Sequence, residues 1–517
     1  MKKLLALILA ILMVVGALVS CDIEEIPNAD PEELHQLKGD KGDQGEKGEK
    51  GDKGEKGNTG AQGPQGEQGP QGEAGRGILK TEVIDGYLWI TYSDDPENPV
   101  NVGKVSANLN ADSVDGSEVN EYALDFYPLP DGTYGVMAGN SKYLEKIVIP
   151  EKYNGKAVTK ILDNAFEGAP NLKEMVIPDS VTSIGEYAFK NCSSLIFVTI
   201  PDSLTGIGNC AFQDCYNLTS VTIPNGVTSI GKSAFNNCNK LVEVINNSTL
   251  KMTKGSSSNG NIAEYALEVH NGESKIVNKN GYLFYITAEK ANYLVNYIDT
   301  DNNIVLPENY SEENYTINDF AFYKNDNLAS VTIGNSVTSI GDCAFYMCDG
   351  LTSVIIPDSV NSIGDFAFSS CDDLTSVIIP DSVNSIGEGA FCNCWSLKYN
   401  EYNNGKYLGN SKNSYIVLLD VIDWSATSFT IHNTTKFIHS SAFYNCSSLT
   451  SVTIPDSVTS IGSGAFVFHG KLTSVTFENT TGWKVGGTSL SSTDLEDKGK
   501  AATYLKSTYN GIAWTRS

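Results

Sequence analysis

The chain has 517 residues, enough for about three ordinary domains and a sizeable core. It carries 36 Lys and Arg against 62 Asp and Glu. The resulting formal charge of −26 argues against a nucleic-acid-binding protein, and against attachment to anionic lipid through a basic patch.

An apolar leader opens the chain. Two lysines precede twelve apolar residues at 4–15, a stretch long enough for an export signal and too short for a membrane span. The leader ends in Leu-Val-Ser-Cys at 18–21, which resembles the lipobox of bacterial lipoproteins. The resemblance implies that 1–20 is a signal peptide and that Cys21 is lipidated. No later segment is apolar enough to span a bilayer, so we expect the lipid to be the only membrane anchor. An ordinary secretory signal with a chance cysteine is the alternative.

A stalk is predicted next. Residues 21–38 are acidic and contain two prolines, which indicates a disordered spacer. From Gly39 to Gly75 every third residue is glycine, thirteen in unbroken register. This period is typical of a collagen triple helix, because only glycine fits at the crowded axis. We therefore expect 39–76 to form a collagen-like stalk on the order of 100 Å long, which makes the chain a homotrimer. A flexible linker is the alternative.

Two apolar runs follow the stalk. They lie within 77–105 on either side of Asp85-Gly86, a dipeptide that favours a tight hairpin turn. A small β-hairpin unit is therefore predicted for 77–105, with a linker at 106–119.

One repeating unit governs 120–480. It reads LTSVTIPDSVTSIGEYAFxNCSS, and a period of about 23 residues lies in the range of leucine-rich repeats. Ten Ala-Phe pairs mark the copies, with phenylalanines at 166, 189, 212, 235, 322, 345, 368, 391, 443 and 466. The chain is therefore predicted to be mainly β, a solenoid in which each repeat packs on its neighbours.

Each repeat position has a physical interpretation. Val221 and Ile223 alternate with polar residues and are expected to face the core, and Pro224 ends the strand. Gly231 is expected to turn the chain with a positive φ, and His439 takes the place of this glycine in a later copy.

Two interruptions break the period. Residues 247–317 and 399–436 are rich in Tyr and Asn and are predicted to form hairpins that project from the solenoid, or else lengthened coils of the same solenoid. If they project, their rings are candidate contacts for a partner, namely Tyr282, Tyr285, Tyr293, Tyr407 and Trp424. The segment 481–517, with Trp483 and Trp514, is predicted to cap the C-terminal end.

No constellation of residues points to catalysis or to a metal. Seven cysteines recur at one repeat position and are expected to form buried columns of small apolar side chains. Three others, Cys210, Cys343 and Cys392, lie outside this column. The five histidines are scattered without metal-ligand or triad spacing. We therefore predict no enzyme, no catalytic or metal-binding residue and no cofactor.

The repeat resembles the BspA-like, or treponemal-type, leucine-rich-repeat family of bacterial surface proteins. The resemblance covers about 140–480 and implies adhesion to host matrix proteins, host receptors or other bacteria. A ligand is expected on the outward strand face, where some residues depart from the Ser/Thr background. The apolar ones are candidate anchors and the acidic ones are candidates for selecting basic partners, namely Glu174, Phe197, Glu243, Ile355 and Ile378. Ordinary β-formers on a solvated sheet are the alternative.

The sequence thus predicts a lipid-anchored adhesin on the outer face of the bacterial envelope, whose partners are surface or matrix proteins and other copies of the chain. A purely structural envelope protein and an accessory protein of a surface hydrolase are the alternative functions.

Overall fold

The structure, a computed structural model, describes residues 78–84, 87–92, 95–104, 123–287, 289 and 291–516, the first three ranges by their backbone alone. The chain divides into two compact units, Met1–Glu73 and Ala74–Ser517, and the described residues belong to the second. The predicted signal peptide with Cys21, the spacer, the stalk and the linker lie outside the described residues. No helix in the described part is long and apolar enough to cross a membrane.

The segment after the predicted stalk forms a small antiparallel sheet. Strands β1 (Ile78–Ile84) and β2 (Tyr87–Tyr92) pair across the two residues between them, with Ile84 opposite Tyr87. A third strand, β3 (Asp95–Lys104), pairs with β2 and extends the unit beyond the two strands predicted.

Residues 123–516 form a mainly β solenoid of stacked repeats, which confirms this part of the predicted fold class. The longer strands of successive repeats pair in parallel and build four sheets, which we call the primary sheets. The first contains β6 (Lys146–Val148), β9 (Glu174–Val176) and β11 (Phe197–Thr199). The second contains β13 (Ser220–Ile223), β15 (Glu243–Asn246) and β16 (Glu268–His270). The third contains β20 (Asn303–Val305), β22 (Ser330–Thr332), β24 (Ser353–Ile355) and β26 (Ser376–Ile378). The fourth contains β31 (Ser428–Thr430), β33 (Ser451–Ile454) and β35 (Ser474–Phe477).

The remaining strands build three secondary sheets. The first contains β4 (Asp125–Pro128), β5 (Tyr134–Met137), β7 (Lys152–Tyr153), β8 (Lys156–Ile161), β10 (Ser183–Ile184), β12 (Gly206–Ile207) and β14 (Ser229–Ile230). The second contains β17 (Ile276–Lys279), β18 (Tyr282–Ile286), β19 (Asn292–Tyr297), β21 (Tyr315–Ile317), β23 (Val337–Ile340), β25 (Ser362–Ile363) and β27 (Ser385–Ile386). The third contains β28 (Asn400–Tyr402), β29 (Gly405–Leu408), β30 (Val417–Val421), β32 (Phe437–Ile438), β34 (Ser460–Ile461), β36 (Trp483–Val485), β37 (Thr488–Ser489) and β38 (Trp514–Arg516).

Stacked phenylalanines run through the core. The rings of the first four Ala-Phe pairs lie 4.9–5.2 Å apart with interplanar angles of 3–12°. This spacing is close to the separation of neighbouring strands, about 4.8 Å, because each ring belongs to one coil. The backbone follows the same ladder, since Phe189 N–H donates to Ala211 O at 2.7 Å and Phe212 N–H to Ala234 O at 2.7 Å. Each coil is therefore held by its neighbours, through ring contacts and hydrogen bonds together.

The prediction about the repeat glycine was wrong. Gly231 and His439 do not have positive φ, and the positive values fall instead on the residue before each Ala-Phe pair and the second residue after it, such as Ser233 (54°) and Asn237 (59°). Glycine is needed at 231 for space, because a Cβ there would lie 2.5 Å from the backbone nitrogen of Asn209 in the preceding coil.

The interruptions are lengthened coils of the solenoid and not projecting hairpins. Strands β18 and β19 form an antiparallel pair, and β19 continues in parallel with β21 in the same secondary sheet. Strands β29 and β30 do the same next to β32. Each interruption also ends in a degenerate repeat, because β20 and β31 belong to primary sheets although the sequence prediction placed them inside interruptions.

The interruptions divide the solenoid into a first segment (123–270), a second (276–397) and a third (405–516). An apolar cluster joins the first two, formed by Ile196, Val242, Ile276, Leu283, Tyr285 and Val295. A buried lysine lies at the same joint, where Lys240 Nζ donates to Asn217 Oδ1 (2.7 Å) and Asn296 Oδ1 (2.9 Å). Burial lowers the pKa of Lys240 to about 7. The joint is therefore packed and hydrogen-bonded as the interior of each segment is.

His439 and Ser440 occupy the junction between the second and third segments. In a regular repeat the amide of Phe368 donates to the carbonyl of Ala390 at 2.8 Å, but the corresponding coil after Phe391 is displaced by the interruption. His439 Nε2 accepts the Phe391 N–H at 3.5 Å instead, and Ser440 Oγ accepts the Gly389 N–H at 2.8 Å. Two side chains thus replace the backbone acceptors that the broken period removes.

The C-terminal segment packs against the last repeat. It contains two short helices, α1 (Ser492–Glu496) and α2 (Lys498–Thr503), a π-helical turn (Tyr504–Thr508) and strand β38, which pairs antiparallel with β34. Trp483 and Trp514 are both 1% exposed, with ring centroids 6.3 Å apart. At the other end the β4–β5 hairpin and a 3-10 helix (Gly139–Tyr143) lie next to the first repeats.

Candidate functional site

The repeated cysteines have a structural role in each coil. Cys192 Sγ donates to the carbonyl of Phe166, Cys215 Sγ to that of Phe189 and Cys238 Sγ to that of Phe212, each at 3.1 Å. Burial raises the pKa of Cys348 and of Cys446 to about 12, so neither thiol is a thiolate at neutral pH. Among residues 123–287, 289 and 291–516, no group of three or more His, Cys, Asp or Glu is placed to hold a metal ion.

Glu243 is buried and was wrongly predicted as a surface residue that selects basic partners. Its carboxylate is 0% exposed and accepts hydrogen bonds from Ser220 Oγ, Ser274 Oγ and Lys275 N–H, each at 2.6 Å. His270 Nδ1 accepts the Gly272 N–H (3.1 Å), which leaves the proton on Nε2 to be donated to Glu243 at 3.2 Å. The chain after β16 turns back over this carboxylate and supplies its donors.

The other two candidates in the first segment are also engaged within the chain. Glu174 pairs with Lys146 at 3.1 Å across neighbouring strands, which leaves 21% of its side chain exposed. Phe197 is half-buried and packs on the apolar cluster at the joint between the first and second segments. Neither side chain is therefore free to meet a partner without losing a contact that the fold already makes.

Four of the five candidate rings of the interruptions are also packed within the chain. Tyr285 is fully buried and its hydroxyl donates to Glu268 Oε2 at 2.9 Å, and Tyr282 (9% exposed) donates to Val305 O at 2.9 Å. Tyr407 is fully buried and Tyr293 is half-buried at the joint. Trp424 is the exposed member, at 52%. The prediction that Tyr282, Tyr285 and Tyr407 are surface contacts was therefore wrong, because the lengthened coils bury them.

The third primary sheet presents an exposed apolar row. Its register aligns Val305, Thr332, Ile355 and Ile378 on four successive strands. We call these four residues the apolar row, since three of them are aliphatic and the fourth, the exposed Thr332, carries a methyl group beside its hydroxyl. Val305 is 67% exposed, Ile355 57% and Ile378 46%.

A row of polar residues runs beside the apolar row, formed by Asn303, Ser330, Ser353 and Ser376. Within it, Ser330 Oγ donates to Asn303 Oδ1 at 2.7 Å. The strands alternate buried and outward side chains, because Ile304, Val331, Val354 and Val377 point into the core. The exposed face is thus held on a rigid support.

The sequence predicted Ile355 and Ile378 on this face but missed two exposed residues near it. Val305 was missed because its strand lies in a degenerate repeat, although Asn303 to Glu308 (NIVLPE) aligns with SVTIPD in the regular unit. Trp395 is 77% exposed and stands one repeat after Asp372, at a position where the preceding repeats have aspartate. A departure from the repeat consensus at that position was the available signal.

The structure therefore offers one extended candidate surface, the outward face of the third primary sheet.

A model of the "BspA type Leucine rich repeat region" matches residues 140–279, 302–415 and 423–496. No curated protein matches the chain.

Several solved structures are similar to this chain. One is a leucine-rich cell surface protein from Faecalibacterium prausnitzii, 24% identical, which covers 69% of this chain and 93% of its own, with a TM-score of 0.25. Another is a leucine-rich repeat protein from Eubacterium ventriosum, 22% identical, covering 67% and 92%, with a TM-score of 0.32. A third is the pneumococcal vaccine antigen PcpA, 18% identical, covering 78% and 95%, with a TM-score of 0.29. Because the family model spans more than half of its residues, the chain belongs to the BspA-type leucine-rich repeat family.

Proposed function

We propose that this chain is a lipid-anchored protein of the bacterial cell surface that binds other proteins through the outward face of its third primary sheet. One contrast carries the proposal. Ile355 and Ile245 occupy the same strand position in their repeats, yet Ile355 is 57% exposed and Ile245 is 6% exposed. An apolar row left uncovered on a rigid sheet is a surface suited to protein contacts.

The fold supports this use because the surface is preorganised. The four strands are joined in unbroken parallel register, and their inward side chains belong to a core that runs from the second segment into the third. A partner that docks on such a sheet does not have to order it first, so little of the binding free energy is lost to ordering.

The surface location rests on the leader. Its apolar stretch at 4–15 and the cysteine that follows support export and lipidation at Cys21. The proposed ligands are proteins of the host matrix, host receptors or the surfaces of other bacteria. The collagen-like repeat at 39–76 supports a homotrimer, and three copies of a weak site on one stalk would gain avidity without a new contact.

The central test compares two matched double variants of the full chain. Ile355→Ser with Ile378→Ser removes the apolar row, and Ile422→Ser with Ile512→Ser removes isoleucines of similar exposure (40% and 44%) elsewhere. Binding to immobilised matrix proteins and to bacterial cells is measured for both. Loss in the first variant and retention in the second would support the proposal. Equal binding by both variants would refute this surface, and absence of binding by the unaltered chain would favour the purely structural alternative.

Lipidation has its own test. Cells that express the chain are fed an alkyne-tagged fatty acid, and Cys21→Ser is compared with Cys210→Ser. The unaltered chain and Cys210→Ser are expected to carry the label and to appear in the membrane fraction. Cys21→Ser is expected to carry no label, in either the membrane or the soluble fraction. A labelled Cys21→Ser protein would contradict the anchor.

Deletion of 247–317 is not a clean test of binding. The deletion would remove Leu283, Tyr285 and Val295 from the apolar cluster at the joint, and strand β20 from the candidate sheet. Point substitutions on the exposed face separate binding from folding far better.

A further inference from the structure

We propose that the third primary sheet binds a basic amphipathic α-helix of a partner protein, with the apolar row as the contact for the apolar stripe of the helix. This inference rests on the proposed function and names the class of partner for the same surface. Three observations lead to it: the distribution of charge along the solenoid, the position of carboxylates beside the apolar row, and the spacing of that row.

The negative charge is concentrated on the segment that carries the sheet. The second segment, 276–397, holds sixteen Asp and Glu against three Lys, with no Arg or His, for a formal charge of −13. Residues 123–270 hold fourteen Asp and Glu, but against eleven Lys, for a formal charge of −3. The two ranges are built from the same repeat, so the fold does not require this difference. A field of one sign favours and steers a partner of the opposite sign.

Carboxylates follow the apolar row on one side of the sheet. Glu308, Asp358 and Asp381 each stand three residues after the end of a strand, and all three are exposed. Three extended residues span at most about 10 Å, so these carboxylates lie within reach of a lysine or arginine on the flank of a helix placed on the row.

A second acidic column precedes the strands on the other side. Asp326, Asp349 and Asp372 recur once in each repeat, always four residues before a strand, and are exposed. Partial burial, together with repulsion from Asp326 and Asp373, raises the pKa of Asp349. The like charges of this column oppose one another, and a cationic side chain placed along it would relieve that repulsion.

The spacing of the apolar row fits a helix that runs across the strands. Neighbouring strands are about 4.8 Å apart, so the row from Val305 to Ile378 is about 14 Å long. The apolar stripe of a helix presents a side chain every three or four residues, which is about 5 Å along its axis. An extended peptide presents one every second residue, about 6.7 Å, and falls out of step after two contacts. A second copy of this chain would bring the same acidic columns and be repelled.

The test uses a synthetic amidated peptide of about 18 residues with leucine on one helical stripe and lysine on both flanks. Two further peptides serve as controls, one with the same composition in scrambled order and one with glutamate in place of lysine. Fluorescence anisotropy measures binding to the full chain at low and at physiological salt. Binding of the lysine peptide alone, weakened by salt, is the expected result. Equal binding of the scrambled peptide would overturn the helix, and equal binding of the glutamate peptide would overturn the basic partner.

Variants of the chain locate the contact. Ile355→Ser with Ile378→Ser is expected to weaken binding of the lysine peptide by about tenfold or more, because two partly exposed isoleucines lose their burial against leucine. Asp349→Asn with Asp372→Asn is expected to weaken it severalfold and to flatten the salt dependence. The charge-matched control, Glu151→Gln with Asp179→Asn, removes two exposed carboxylates of the first segment and should leave the affinity within about twofold. Circular dichroism confirms that each variant is folded.

The outcomes separate this inference from the proposed function. If natural ligands depend on Ile355 and Ile378 while the acidic variant binds them as well as the unaltered chain does, the sheet remains the binding surface and the basic helix is overturned. If neither the peptide nor the natural ligands depend on the two isoleucines, both proposals fail.

Discussion

His439 makes the stability of the solenoid depend on pH at one junction. The imidazole is buried where the second and third segments meet, with Nδ1–H donating to Ser440 O at 2.8 Å and Nε2 accepting the Phe391 N–H. Burial lowers the pKa of His439 to about 4, against the raising effects of the Ser440 carbonyl and Asp420. Protonation would place a charge in the core and would remove the acceptor of Phe391.

The sign and size of the effect follow from the folded and unfolded pKa values of this imidazole. Above pH 6.5 the ring is neutral in both the folded and the unfolded chain, so its protonation does not change the free energy of unfolding. Between pH 6.5 and 4 the unfolded chain takes up the proton first, so the free energy of unfolding falls as the pH falls. At pH 5 the loss is about 2 kcal/mol, and below pH 4 it reaches about 3 kcal/mol.

The test compares the unaltered chain with His439→Gln. Glutamine does not titrate in this range, so its variant should be less stable at pH 7.5 by about 1 kcal/mol for a weakened hydrogen bond. Between pH 7.5 and pH 5 the unaltered chain should lose about 2 kcal/mol of stability that the variant does not lose, so at pH 5 the variant should be about as stable as the unaltered chain or more stable. Urea unfolding at both pH values measures it, with hydrogen exchange of a peptide covering 385–397 as the local readout because repeat arrays do not always unfold in one step.

A control and a clear refutation are available. His432→Gln changes the same residue type at a half-buried ring whose pKa burial lowers, and whose Nδ1 accepts the Thr434 N–H at 3.2 Å. It should show a smaller change between the two pH values. Parallel pH dependence of the unaltered chain and of His439→Gln would show that the buried imidazole is not the titrating group, and the reasoning would fail.

Three further predictions test the repeat itself and the covered part of the sheet. Gly364→Ala should lower the free energy of unfolding by about 1–3 kcal/mol, because its Cβ would lie 2.5 Å from the carbonyl carbon of Gly341, whereas Gly470→Ala, with nothing within 4 Å, should be neutral in urea unfolding. Glu243→Gln should cost about 3 kcal/mol because it disturbs a buried acceptor of four hydrogen bonds, whereas Glu174→Gln, in a partly exposed pair, should cost less than about 1 kcal/mol; equal costs would contradict the burial of Glu243. Iodoacetamide at about pH 8 should label Cys210 before Cys348 in the folded chain, with urea-unfolded protein as the control and mass spectrometry as the readout.

Much of the fold was predictable because the same sequence pattern recurs in many copies of the repeat. A constant period with alternating inward residues indicates stacked coils, and the parallel register from Ser330 to Ser353 to Ser376 follows directly. The degenerate copies were not predictable in this way. Strand β20 has its Ala-Phe pair four residues later than in the regular unit, and β31 keeps Ala442-Phe443 in register but has Ala426 for the repeat leucine and His432-Asn433 for Pro-Asp. Their membership of a sheet is decided by the neighbour with which each strand pairs.

The role of the repeat glycine was misread for a related reason. A glycine in a turn suggests a positive φ when the sequence alone is considered. At Gly231, however, the requirement comes from Asn209 in the preceding coil, whose backbone leaves no room for a Cβ. Close approach between coils is a tertiary effect, and a single repeat does not reveal it.

The candidate site divides along the same line. Side chains alternate between the two faces of a strand, so the sequence alone shows that Glu243, Ile245, Ile355 and Ile378 point away from the core. Whether such a residue is exposed to solvent depends on which other part of the chain covers it. Ser274 and Lys275 cover Glu243, whereas Ile355 remains 57% exposed among the described residues. The repeat therefore supplies a sheet of nearly constant shape, and the interruptions decide which part of it stays open. It follows that moving or shortening an interruption would change the binding surface of such a protein without changing a single residue of the strands that form it.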